Sequence, residues 1–141
     1  MNPKTLRAVY WSLTLLFLVL QSWSAIQYLI EAPRMMATIR ELGYPIYFVK
    51  LLGVAKLLAA GAILFGFTRL KEWAYAGLTF DTLGAFFSHV ASGHSMLIAS
   101  VPLLFCAVQL TSYLLWKRLE SGGEPAIYGW PRAGAPRHVR V

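Results

Sequence analysis

Residues 46–67 read IYFVKLLGVAKLLAAGAILFGF. The run is as long as a membrane-spanning helix, which needs about 20 mainly apolar residues. Two lysines interrupt it, Lys50 and Lys56. Lys56 lies ten residues past Ile46. At a rise of about 1.5 Å per residue that is roughly 15 Å deep, half of a hydrocarbon layer about 30 Å thick. An ammonium at such a depth is costly and is a candidate functional group by default.

Three further runs of similar length flank this one, at about 8–30, 73–91 and 96–116. Only helices or closed barrels satisfy the backbone inside lipid, and a barrel would read as alternating segments of about ten residues. The expected fold class is all-α integral membrane. The architecture is a four-transmembrane-helix bundle over residues 1–118, followed by a mobile basic tail at 119–141. Composition agrees. The 141 residues are 57% hydrophobic and 13% charged, against about 25% charged in an ordinary soluble domain. Mean hydropathy is +0.56. That composition excludes a disordered chain and argues against a water-soluble globule.

The net charge is +7, from 13 Lys and Arg against 6 Asp and Glu. Those charges sit between the apolar runs, so nucleic acid is not an expected partner. Lys4, Arg7, Arg69, Lys71, Lys117, Arg118, Arg132, Arg137 and Arg140 would fall on one side, Arg34 and Arg40 on the other. By the positive-inside rule the chain is expected to be a multi-pass membrane protein with both termini cytoplasmic. Lys4 and Arg7 before an apolar run also resemble a signal peptide. The apolar run resumes after Ser24 to full span length, which favours a retained helix. One cysteine, Cys106, allows no internal disulfide.

Between the first two runs, Met35, Ile39 and Leu42 fall at i, i+4, i+7 behind Pro33. This predicts a short amphipathic helix at the outer surface, a connector or a lid over the bundle mouth.

The third run carries Asp81 at about the depth of Lys56, on the next, antiparallel helix. The two are expected to meet, as a structural ion pair or as groups that hold a ligand or move a proton. Asp81, Ser88, His89 and Ser92 share a helical face. His89 is the third candidate catalytic residue. Gln27, Glu31, Tyr47, Ser88 and Gln109 are candidate ligand contacts. Gln27 and Gln109 would otherwise bond between helices, and Glu31 would otherwise cap the surface or pair with Lys50. Glu72 is expected to favour the start of the third helix through its dipole. His89 and His94, five apart, do not share a face, and no metal site is expected.

Several segments carry a family likeness: Gly43-Tyr44-Pro45, Leu52-Gly53 with Lys56-Leu57-Leu58, and Leu70-Lys71-Glu72-Trp73-Ala74-Tyr75-Ala76-Gly77, then Gly84-Ala85 and Ser88-His89. Over about residues 6–118 the chain resembles the DoxX-like family of small four-helix bacterial membrane proteins. Relatives often carry Ser-His-x-x-x-Gly-Asp at the end of the third helix; here Gly93-His94 stands there, without the acid. The resemblance implies a bacterial inner-membrane location and an association, seen for some relatives, with quinol oxidase or thiosulfate–quinone oxidoreductase systems.

The expected function is an intramembrane pocket for an apolar small molecule, a quinone or an isoprenoid or sterol-like lipid. Lys56, Asp81 and His89 would meet its polar end and support acid–base isomerase or cyclase chemistry. No intrinsic cofactor is expected; quinone is the candidate. The alternatives are a non-catalytic subunit of a quinone-linked oxidoreductase and a small proton-coupled transporter. Expected partners are membrane lipid, the apolar ligand, and an oxidoreductase or a second copy.

Overall fold

The computed structural model describes residues 2–121. Five helices follow in order: α1 Pro3–Leu29, α2 Pro33–Glu41, α3 Ile46–Phe65, α4 Thr68–Ala91 and α5 Met96–Ser121. No strand occurs among the described residues. The four long helices form a ring in which α1 packs on α3 and α5, and α4 packs on α3 and α5. Ring neighbours are antiparallel, as short connections require. α5 runs on to Ser121, so 119–121 belong to the helix rather than to the expected tail. The rest of the tail, with Arg132, Arg137 and Arg140, lies outside the described residues.

Local sequence accounts for the helix ends. α1 starts at Pro3, and Asn2 caps it by accepting the Lys4 N–H at 3.1 Å. Three helices stop in the same way at the α2 end of the bundle. After α2, Gly43 N–H donates to the Arg40 carbonyl and Tyr44 N–H to that of Ile39. After α4, Gly93 and His94 repeat the pattern on Val90 and His89. This is the Schellman termination, which needs a left-handed residue. Gly43 and Gly93 supply it at φ +78° and +71°. After α1 the same bonds form, but Glu31 takes the left-handed position at φ 52°. Its carboxylate is held by Lys50 at 2.5 Å.

The core changes in character along the ring axis. Toward the termini, Tyr10, Phe17, Leu18, Ile63, Tyr75, Leu78 and Trp116 pack as one cluster. At the opposite end α2 seats Met36 and Ile39 against Val49, with Tyr28 and Tyr44 around them. The buried seam of α2 is thus Met36 with Ile39, not Met35 with Ile39 and Leu42; Met35 and Leu42 are half-buried. α1 and α3 approach most closely at Gly53, where a Cβ would lie 3.0 Å from the Ala25 carbonyl oxygen.

The outer faces of the ring are apolar. Val19 and Trp23 on α1, Leu51 and Leu58 on α3, and Leu97 and Leu104 on α5 are all exposed. Water does not tolerate an apolar surface so extensive. α1, α3 and α5 are each long and apolar enough to cross a membrane. α4 is as long, but it carries Arg69, Lys71, Glu72 and Asp81.

Candidate functional site

Lys56 projects from the middle of α3 into the ring and is buried. Its Nζ lies 3.0 Å from Asp81 Oδ2 on α4. It also donates to Gln21 Oε1 and Ser24 Oγ on α1, each at 3.3 Å. The Tyr28 ring stands 5.0 Å away, close enough for a cation–π contact. Only 8% of the Lys56 side chain and 14% of that of Asp81 is exposed. The small residue Gly53 one turn away lets α1 come near enough to deliver Gln21 and Ser24. The Lys56–Asp81 contact expected from depth is therefore present.

Every hydrogen on the ammonium has an acceptor, but Gln21 is only half satisfied. Its Nε2 is buried without a hydrogen-bond partner. An unpaired amide in a dry interior costs about 1–3 kcal/mol.

A second polar group lies nearer the termini. Thr14 Oγ1 donates to the Tyr10 carbonyl at 2.7 Å. A hydroxyl has one proton, so Ser112 must donate to Thr14 across 2.7 Å, and Tyr75 OH to Ser112 across 2.9 Å. Gln109 Nε2 donates to the Tyr75 carbonyl and to Thr79 Oγ1. Tyr10 OH and Gln109 Oε1 are buried and unpartnered.

The remaining predicted residues do not reach Lys56. His89 sits eight residues past Asp81, roughly 12 Å further along the helix, at the α2 end. There His89 Nδ1 meets His94 Nδ1 at 2.7 Å. On a continuous helix, residues five apart would fall on different faces. The Schellman turn at Gly93 folds His94 back over His89. His94 Nε2 also approaches Glu41 Oε2 of α2 at 3.7 Å. No group of three metal-ligating side chains occurs among the described residues.

Ser88 donates to the Gly84 carbonyl at 2.7 Å, which makes Tyr44 OH the donor in its 2.6 Å bond to Ser88 Oγ. Glu31 pairs with Lys50, one of the alternatives its position allowed. Tyr47 is 77% exposed on the outside of the ring. Gln27 is half-buried near the end of α1 and makes none of the Lys56 contacts. Glu72 does not serve a helix start. α4 begins at Thr68, so Glu72 falls past its first turn and binds Lys117 of α5.

Sequence reasoning missed Gln21, Thr14, Tyr75 and Ser112. A signal existed for α1. Thr14, Gln21 and Tyr28 are spaced by seven, with Ser24 between, and that stripe faces the ring. Gln27, a contact expected from sequence, lies on a face rotated from it, and Glu31 lies past the end of the helix.

A family model described as DoxX-like family matches residues 12–112. No curated protein and no solved structure matches the chain.

Proposed function

The chain belongs to the DoxX-like family, and from that premise we propose a membrane protein whose Lys56 centre receives the oxygen-bearing head of an apolar ligand. Membership and the three long apolar helices make it a membrane protein; the rest of this reading is ours. The observation that carries it is the unpartnered Gln21 Nε2, buried beside the Lys56 ammonium. A quinone carbonyl, or the oxygen of an isoprenoid or sterol-like lipid, supplies the missing acceptor. Lys56 and Asp81 hold and move protons, so the chemistry that suits the centre is acid–base isomerisation or cyclisation. His89 belongs instead to the rim under α2.

In this reading α4 is a fourth span. It stands between two apolar helices and turns Trp73, Phe80 and Phe87 outward, with exposures of 80, 77 and 65%. Its charged groups at 69–72 lie at the terminal end, and Asp81 faces Lys56. Lys4, Arg7, Arg69, Lys71, Lys117 and Arg118 gather at the terminal end, which orients that end to the cytoplasmic face of an inner membrane.

One observation favours a second reading. Lys56 already spends its three hydrogens on Asp81, Gln21 and Ser24. A closed cluster of that kind ties three helices together, as a non-catalytic subunit of a quinone-linked oxidoreductase requires. Mass spectrometry of apolar molecules that co-purify with the detergent-solubilised chain separates the two. The ligand reading expects one carbonyl- or hydroxyl-headed molecule, lost from a folded Gln21→Leu variant. Bulk phospholipid alone in both samples supports the subunit reading.

A further inference from the structure

Three of the four seams of the ring are bridged at one end by the chain itself. α2 and its flanking turns join α1 to α3, Gly66-Phe67 joins α3 to α4, and residues 92–95 join α4 to α5. No covalent connection spans the fourth seam, between α1 and α5. An apolar groove opens there, lined by Leu16, Phe17 and Leu20 of α1 and by Leu104, Phe105 and Val108 of α5.

The buried unpartnered side-chain atoms among the described residues fall on the same two helices. They are Tyr10 OH and Gln21 Nε2 on α1, and Gln109 Oε1 on α5. Gln21 and Gln109 are 3% and 1% exposed. Gln21 follows the groove residue Phe17 by four positions, and Gln109 follows Phe105 by four. Each is one helical turn from the groove. Because α1 and α5 are antiparallel, the two amides bracket it, with Gln21 on the side of Lys56.

We infer that the α1–α5 seam is the lateral entrance of the ligand, whose single apolar tail occupies this groove while its oxygen meets the unpaired Gln21 amide beside Lys56. The inference rests on the head-binding reading above and adds the route and the tail. A second copy of the chain is a poorer occupant. Its apolar outer faces would fill the groove and leave the Gln21 amide unpaired. A tailed carbonyl compound satisfies both groove and amide. The Thr14–Ser112 bond lies across the same seam toward the termini, and it holds that half shut while the groove half opens.

The test uses the full chain in lipid nanodiscs with two probes, a short-chain quinone carrying a diazirine in its tail and the same quinone ring without a tail. Leu20→Trp and Leu104→Trp are made separately, so that one misfolded variant does not decide the outcome. Irradiation is expected to label peptides containing residues 16–20 and 104–108. Either tryptophan should reduce that label by about tenfold. Label spread evenly over the outward faces of all helices, or unaffected by either tryptophan, overturns the entrance while tailless binding upholds the head site. Failure of the tailless ring to bind the unmodified chain overturns the head site itself. Groove labelling that persists without it marks the seam as a site for ordinary lipid tails, and the entrance falls as well.

Discussion

Lys56 shows how one residue can organise a membrane bundle and still leave something undone. Removing one member of a buried ion pair strands the other, at a cost of about 3–5 kcal/mol, whereas replacing both by apolar residues is often neutral. Lys56→Met alone should therefore unfold in detergent at a markedly lower denaturant concentration. Lys56→Met with Asp81→Leu should recover most of the loss. If the double variant folds yet loses its co-purifying molecule, the pair serves a ligand as well as the fold. Two glycines of α3 give a second contrast. A side chain at Gly53 meets the Ala25 carbonyl and Leu29, while one at Gly61 meets nothing within 4 Å. Gly53→Val should destabilise by about 1–3 kcal/mol through overpacking. Gly61→Ala should be neutral or should stabilise by about 0.5–1 kcal/mol through reduced chain entropy. Thermal unfolding in one detergent measures both. Lys56 and Asp81 could be picked out in advance because charge at membrane depth is conspicuous. Gln21 could not be ranked that way, since an amide is a common interhelical bonding group. Only its neighbours reveal which half of it is unpaired.

Among the elements, α2 is the one whose role depends on contacts rather than on length. Nine residues are too few for a stable helix in isolation. α2 holds through Met36 and Ile39, through the Tyr44–Ser88 bond at its exit and through Glu41 near His94. It therefore sits packed on α1 and α3, with contacts to the end of α4 and to His94 just past it. Ile39→Ser should release it locally. Hydrogen exchange of amides 33–41 should rise strongly while the middles of α1, α3 and α5 stay protected. Equal loss of protection in the long helices would mean that α2 is part of the global fold. The amphipathic period and Pro33 predict the helix itself. The buried face keeps Ile39 but takes Met36 in place of Met35 and Leu42, because it packs on Val49 and Tyr28, which lie far away in sequence. The His89–His94 contact was hidden for a related reason. A helical-face argument stops where the helix stops, and Gly93 reverses the chain there.

At the scale of the molecule, topology is directly testable. Cys106 is the single cysteine and is buried, so Cys106→Ser leaves a thiol-free background. In that background, Arg69→Cys and Ser92→Cys mark opposite ends of α4. If α4 crosses the membrane in the proposed orientation, an impermeant maleimide should modify Ser92→Cys from the periplasmic face, and Arg69→Cys only after permeabilisation. Modification of both from one face would make α4 a helix that packs against the spans without crossing. The packing of α4 between α3 and α5, with Phe80 and Phe87 turned outward, favours crossing.

The sequence by itself determined the all-helical architecture, the approximate limits of the long helices, the amphipathic connector and the depth at which Lys56 and Asp81 face each other. These follow from composition, period and helical rise, which are local properties of the chain. The tertiary structure alone decided the order of the helices in the ring, the seam left without a covalent link, and the residues that complete the Lys56 centre. Those depend on the rotation of each helix about its own axis. That rotation is set by where a glycine admits a neighbour's backbone, as Gly53 admits α1, and by which buried polar groups find partners. Both are relations between distant residues, and no window along the chain contains them.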